Sequence, residues 1–506
     1  MMLFRMNFGQ TRTRSVQTGA AFLAAALVAG CGSQYRPVVT PIYTNGPAPQ
    51  PTSYAVVVSA PSTTTPGIAT MIDYSGDTIM AQAPIGPGPT AFTIDPTGSY
   101  GYTLNSDGTL TNFPVSITNL QAKNITYSTL PTGFQPAGLY SLTLGLWIPD
   151  LDGNVVDIMS NIPADFKLAI PVAATPVAIM GSGQLVGQRN YAISQGFADP
   201  TGVACNTSPT TAPLGVADAI EGTSLTISAR IPLGKCPVYA VQSPDGRRLF
   251  VLNRGDDTIT VINSLNNTLD SCTPFQNQNG QQITCHPSLP LSTTAVNALN
   301  TANPGSGNPP NGTSGMGTIA GPVYAEFNPA TNELVVSNYD GNTISMIDVS
   351  LDVFGNDSPT FGTTYTMPVG NNPASVTVLA DGSRAYAANQ ADSTVTVVNL
   401  ISHTVEKTLP VIGHPRTVVS IQNSLYGKVY VASPDKPNIT ILRTDLDIVD
   451  TAVLVEGDVV DVRVSSPNGS NGANMNYVSR VPGRGQPCNL PGTTVAATLV
   501  ACQTQP

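Results

Sequence analysis

The apolar positions of this chain fall in short runs with a period of two. They include TITVIN (258–263), TISMID (343–348), TVTVVN (394–399), NITILR (438–443), NVVDIM (154–159) and IATMID (68–73). A second run precedes each: FVLN (250–253), VVSN (335–338), YAAN (386–389), YVAS (430–433) and YTLN (102–105), with weaker copies YAIS (191–194), WIPD (147–150) and VVVS (56–59). Such alternation predicts β-strands, and no helical periodicity of useful length occurs outside an N-terminal apolar segment. Further upstream, VYAVQSPDG (238–246), VYAEFNPAT (323–331), SVTVLADG (375–382) and AFTIDPTG (91–98) read as strands closing on tight turns. A last strand ends the unit in IPLG (231–234), MPVG (367–370), LPVIG (409–413) and APIG (83–86).

Four short antiparallel strands repeated at roughly 40 residues are the signature of a β-propeller blade. The expected fold is all-β, a single propeller of four-stranded antiparallel blades, seven or eight in number, with eight favoured. Seven full copies lie near 89–131, 136–172, 175–233, 236–292, 321–370, 373–413 and 415–457. The stretch 54–86 supplies only three strands, and VVDVRVSS (459–466) reads as the missing one. Pairing the two would close the ring between N- and C-terminal strands. The tetrads, the T-I-T-V-I-D-like strands and the terminal P-V-G resemble the YVTN-repeat family of β-propellers, found in bacterial and archaeal surface proteins. The resemblance covers about 54–465 and implies a fold more than a function.

Charge narrows the partners. Only 10% of the residues are charged and the formal charge is −10, with no basic block, which argues against nucleic acid. Arg5, Arg12 and Arg14 precede the apolar stretch VQTGAAFLAAALVAG (16–30), the layout of a secretory signal peptide. It runs into LVAGC, which resembles a bacterial lipobox with Cys31 in the lipid-accepting position. The resemblance implies removal of residues 1–30, leaving a formal charge of −13. It also implies acylation of Cys31 and, with no Asp at position 32, sorting to the outer membrane. The expected domains are therefore the signal peptide (1–30), a Pro/Thr/Ser-rich tether (31–53), the propeller (54–466) with an insertion at 264–320, and an irregular tail (467–506).

Six cysteines remain: Cys205, Cys236, Cys272, Cys285, Cys488 and Cys502. An even number in an exported chain points to disulfides, and neighbour pairing (205–236, 272–285, 488–502) keeps the loops short. Free buried thiols are the other reading. Metal ligation by cysteine is disfavoured, because no Cys-x-x-Cys occurs and the histidines are His286, His403 and His414 alone.

The aspartates after the tetrads (Asp256, Asp257, Asp340, Asp392, Asp107, Asp152) recur with Asn253, Asn338, Asn389 and Asn105, which marks them as turn-formers. The alternative is a divalent cation such as Ca²⁺, held by acids converging from several blades. No other cofactor is expected. No nucleophile elbow or phosphate loop is present. These features favour a non-catalytic, lipid-anchored envelope propeller that binds or scaffolds an envelope protein or polysaccharide, using 293–320 and the tetrad-following loops. The enzymatic alternative is a lactonase-like hydrolase or quinone-dependent oxidoreductase with its site at the channel mouth. Against it, the first strands VYAVQS, SVTVLA and TVVSIQ offer no acid or base, with Glu326 and Asp95 the exceptions.

Overall fold

The fold is described from a computed structural model, which describes residues 53–465 apart from 96, 143–144, 152, 162–163, 182–188, 197–211, 277–279, 281, 303–312, 329 and 424–425. It is an eight-bladed propeller of antiparallel sheets. Blade 1 joins Asp458–Val464 to Tyr54–Ala60, Pro66–Asp73 and Ile79–Pro87, so it draws on both ends of the repeat region. Blades 2, 3 and 4 open on Pro89–Ile94, Tyr140–Leu142 and Pro176–Gly181. Blades 5 to 8 open on Pro237–Gln242, Pro322–Asn328, Pro373–Val378 and Thr417–Asn423. Each opening strand packs against those of both neighbouring blades, closing the ring around its axis.

Position in the blade explains the strand patterns. Strands near the axis are covered on both faces by adjacent blades, so PVYAVQ and RLFVLN are buried at every position. Outer strands meet water, and TVEKTLP (404–410) is exposed at all positions but one. Antiparallel order puts the connections between strands 1 and 2 and between strands 3 and 4 on one face of the ring, here the turn face. The connections between strands 2 and 3 and the links between blades share the other, the linker face.

Among the described residues, two helices depart from the expectation of none. Ile117–Gln121 lies in the outer hairpin of blade 2, and Thr293–Ala302 occupies part of the stretch read as an Asn/Gly/Pro loop. The longer helix is capped by Ser292, whose Oγ accepts the Ala295 N–H at 3.1 Å. Blade 5 has a divided outer strand: Thr268–Leu269 and Ser288–Pro290 both pair with Thr258–Asn263, and the residues between form a separate hairpin. In blade 6, Thr313–Ser314 adds a parallel fifth strand outside Thr364–Pro368.

Candidate functional site

On the linker face the tetrad asparagines do one job. Asn253 Nδ2 donates to Thr258 Oγ1 (3.1 Å) and Thr260 Oγ1 (2.8 Å). Asn338, Asn389 and Asn105 repeat the bond pair with Thr343 and Ser345, Thr394 and Thr396, and Thr109 and Thr111. A buried amide thus fixes strand 2 to strand 3 within each of these blades. The Gly closing the preceding blade leaves room for it: a Cβ at Gly234 or Gly370 would come within 2.7 Å of Asn253 or Asn389. The Asn and the P-V-G of the repeat are therefore two halves of one contact.

The aspartates after the tetrads spend their oxygens on backbone and hydroxyl donors. Asp256 accepts from Lys235 N–H (3.0 Å) and Thr258 (2.8 Å), Asp392 from Asn371 N–H (2.6 Å), and Asp107 from Thr109 N–H (3.0 Å). Asp257, Asn342 and Ser393 share a left-handed φ of 55–56° at the same loop position. Asp340 takes a two-point contact from Arg254 of the preceding blade (2.9 and 3.0 Å). Burial pushes the carboxyls of Asp256 and Asp257 up, against the donors that hold them. Asp152 lies outside the described residues.

Asp257 also anchors the insertion. Its main-chain oxygen accepts the Leu291 N–H (2.9 Å), and its carboxylate accepts the Gly321 N–H (2.7 Å). Both stems of the 291–321 segment are thereby held at one residue, with the Thr293–Ala302 helix between them on the linker face.

Blade 3 breaks the pattern. Asp150 stands where the tetrad Asn stands elsewhere, and Asp157 replaces the second hydroxyl. Burial first, and the Asp150 charge second, raise the Asp157 carboxyl to about 6.

On the turn face, adjacent blades are clasped. The 3–4 turn of a blade reaches strand 2 of the one before it. Tyr191 donates to Asn267 (2.7 Å), Lys428 to Asp77 (2.6 Å), and Arg384 and Tyr386 both to Asp447. Asn267, Asp77 and Asp447 all have φ near +50°. The tetrad Tyr is therefore an inter-blade residue, as its repetition implied. Between blades 5 and 6 the clasp is enlarged. Arg248 Nη2 lies 3.1 Å from Asp270 and 3.5 Å from Asp357, and His286 Nδ1 is 2.8 Å from Asp357. The imidazole stacks on Phe361 at 5.4 Å. Cys272 and Cys285, bonded to each other, hold Asp270 and His286 together around Asp357. This group can store a proton, but both of its sulfurs are tied up. Sequence reasoning missed it; the only local signal was an acid and a histidine beside paired cysteines.

The remaining chemistry-bearing residues are dispersed. Glu326, buried, accepts the Val378 N–H (2.8 Å) from the next blade. Asp95 caps its own turn through Ser99 and Tyr100 N–H. His414 meets Asp435 at 2.8 Å, and the His403 ring lies tilted against Tyr365, 4.0 Å between centroids. Among the described residues, no three or more His, Cys, Asp or Glu are grouped to hold a metal ion. Cys236 is also disulfide-bonded. Cys205, its partner by the sequence reading, lies outside the described residues, as do Cys31, Cys488 and Cys502.

No family model and no curated protein matches the chain. Solved structures do. AztD from Citrobacter koseri, in its apo form, aligns with a TM-score of 0.53 at 10% identity, over 81% of this chain and 97% of that one. Saccharomyces cerevisiae Sqt1 aligns with a TM-score of 0.49 at 10% identity, over 74% and 87%. The likeness to AztD is one of fold. It places the chain among β-propellers and carries no activity across.

Proposed function

We propose that this is a lipid-anchored envelope propeller of the YVTN-repeat type, acting as a non-catalytic binding module for an envelope protein or glycan. The insertion at 293–320 and the neighbouring 2–3 loops form its binding surface. The observation that carries this reading is the double anchoring of the insertion on Asp257. A segment of this length outside the repeat is functional or disordered as a rule, and this one has its ends pinned and a capped helix between them. The polar groups around it are committed to holding loops, which suits display better than turnover.

The test compares the full chain with a variant in which residues 294–316 are replaced by a short Gly/Ser link. Both are cross-linked in intact cells, and both are applied to envelope polysaccharide. The variant should keep the native melting temperature and lose the partner or glycan. Capture that is unchanged by the replacement would overturn the assignment of the surface.

A further inference from the structure

We infer that the turn face docks against a lipid bilayer, with Val353 and Phe354 entering its interface. The inference rests on the lipid-anchored reading of Cys31. The 3–4 turns of four consecutive blades each present large apolar side chains to solvent: Leu265 (46% exposed), Val353 (90%) and Phe354 (78%), Ile401 (73%) and Leu446 (55%). Scattered apolar residues on a surface are ordinary. Here they occupy tips on one face, and the most exposed pair is carefully supported.

The Val353–Phe354 tip is a built turn. Asp352 Oδ1 accepts the Phe354 and Asn356 N–H groups at 2.9 Å, and the Gly355 N–H donates to the Asp352 main-chain oxygen at 3.0 Å. Ser350 and Ser358 join the stems at 2.8 Å. Arg248 donates to the Gly355 oxygen (3.2 Å), tying the turn to the buried Arg248–Asp357–His286 group beneath it. Two apolar side chains held outward in this way lose little freedom when they are covered.

The position of the chain ends selects the occupant. Tyr54 starts strand 2 of blade 1 on the turn face, and the Ser53 oxygen accepts the Tyr74 N–H in that blade's 3–4 turn. The 22 residues from 32 to 53 reach back to Cys31, a span of at most ~75 Å when fully extended. The tether thus joins the ring on the face that carries these tips. The linker face also exposes apolar residues, among them Leu454 and Ile319. It lies on the far side of the ring, where a protein or glycan would approach. Charge identifies the lipid. Arg189, Arg248, Arg384 and Lys428, the cations at the turn-face joints, are engaged in clasps. With those cations engaged and the chain acidic overall, contact led by the apolar tips favours neutral headgroups such as phosphatidylethanolamine over anionic ones.

Trp147 is fully buried, so an introduced indole reports on its own surroundings. Phe354→Trp and Ile319→Trp are made in the full lipidated chain and reconstituted in vesicles of phosphatidylethanolamine and brominated phosphatidylcholine. The indole at 354 should be quenched and the one at 319 should not. In parallel, chain beginning at residue 32, which carries neither the anchor nor the apolar stretch 16–30, is sedimented with unbrominated vesicles. Val353→Ser/Phe354→Ser should lower its partition at least about tenfold, with no dependence on salt. Equal quenching at both sites, no quenching at 354, or partition indifferent to the double substitution would overturn docking. So would a protein partner lost on Phe354→Ser with no quenching by lipid. Palmitate labelling of wild type but not of Cys31→Ala tests the anchor separately, so a failure of docking is not confused with a failure of lipidation.

Discussion

The joint between blades 7 and 8 and the joint between blades 5 and 6 meet one requirement by different means. The first is economical: Arg384 and Tyr386 on strand 2 meet Asp447 in the next blade's turn. The second begins from the equivalent arginine, Arg248, and adds Asp270, Asp357, His286 and a disulfide. The difference follows from loop length. At the plain joint the turn is four residues and delivers its acid by geometry alone. At the enlarged joint two long segments, 264–287 and 349–363, must be held against each other. Buried opposite charges with a covalent staple do this, at the cost of desolvating several charged groups.

The largest effect should come from removing the shared cation. Arg248→Ala strands two buried carboxylates and should cost ~3–5 kcal/mol, whereas Arg384→Ala, at a part-exposed pair, should cost ~1 kcal/mol. Urea midpoints of the two variants check this, and equal losses would remove the distinction between the joints. Next, Cys272→Ser/Cys285→Ser should cost ~2–3 kcal/mol for a loop of this size. In a double-mutant cycle its effect and that of Arg248→Ala should fall short of additive.

The third prediction concerns pH. Burial first, and the Asp357 carboxylate second, raise Asp270 to about 7, well above the ~3.9 of an unfolded aspartate. The folded chain therefore binds this proton more tightly. The stability it confers is full below about pH 4 and is lost as pH rises through about 7. Melting curves of Asp270→Asn between pH 4 and pH 8 should be flatter than those of wild type, and an equal slope would place the titration elsewhere. Two small effects complete the series. Tyr386→Phe should cost ~1 kcal/mol at the plain joint. Asp257→Ala should also cost ~1 kcal/mol, and hydrogen exchange in Thr293–Ala302 should accelerate while that in the blade strands stays unchanged.

The plain joint was nearly legible in the sequence, and the enlarged one was not. Strand alternation, turn glycines and the recurrence of Tyr and Asn express contacts that several blades repeat, so comparing copies exposes them. That route also gave the pairing of VVDVRVSS with the N-terminal strands, and the Cys272–Cys285 bond followed from pairing neighbouring cysteines across short loops. The Arg248–Asp357 contact links segments more than a hundred residues apart and occurs once, so no second copy reveals it. The helix at 293–302 was hidden for another reason. TTAVNALNTA is rich in Thr and Asn, weak helix-formers, and it is organised by the Ser292 cap and by stems fastened on a distant aspartate.

Blade 1 has a consequence for the order in which the molecule is made. Its strands join residues 411 positions apart, as in the Tyr54–Ser465 bond. Closing so long a loop is slow relative to forming any local hairpin. Seven blades can assemble as the chain emerges, but the ring stays an open arc until residues 458–464 arrive. In that interval the edge of Tyr54–Ala60 is unpaired and open to foreign strands. A chain truncated before residue 458 should therefore fold locally yet aggregate.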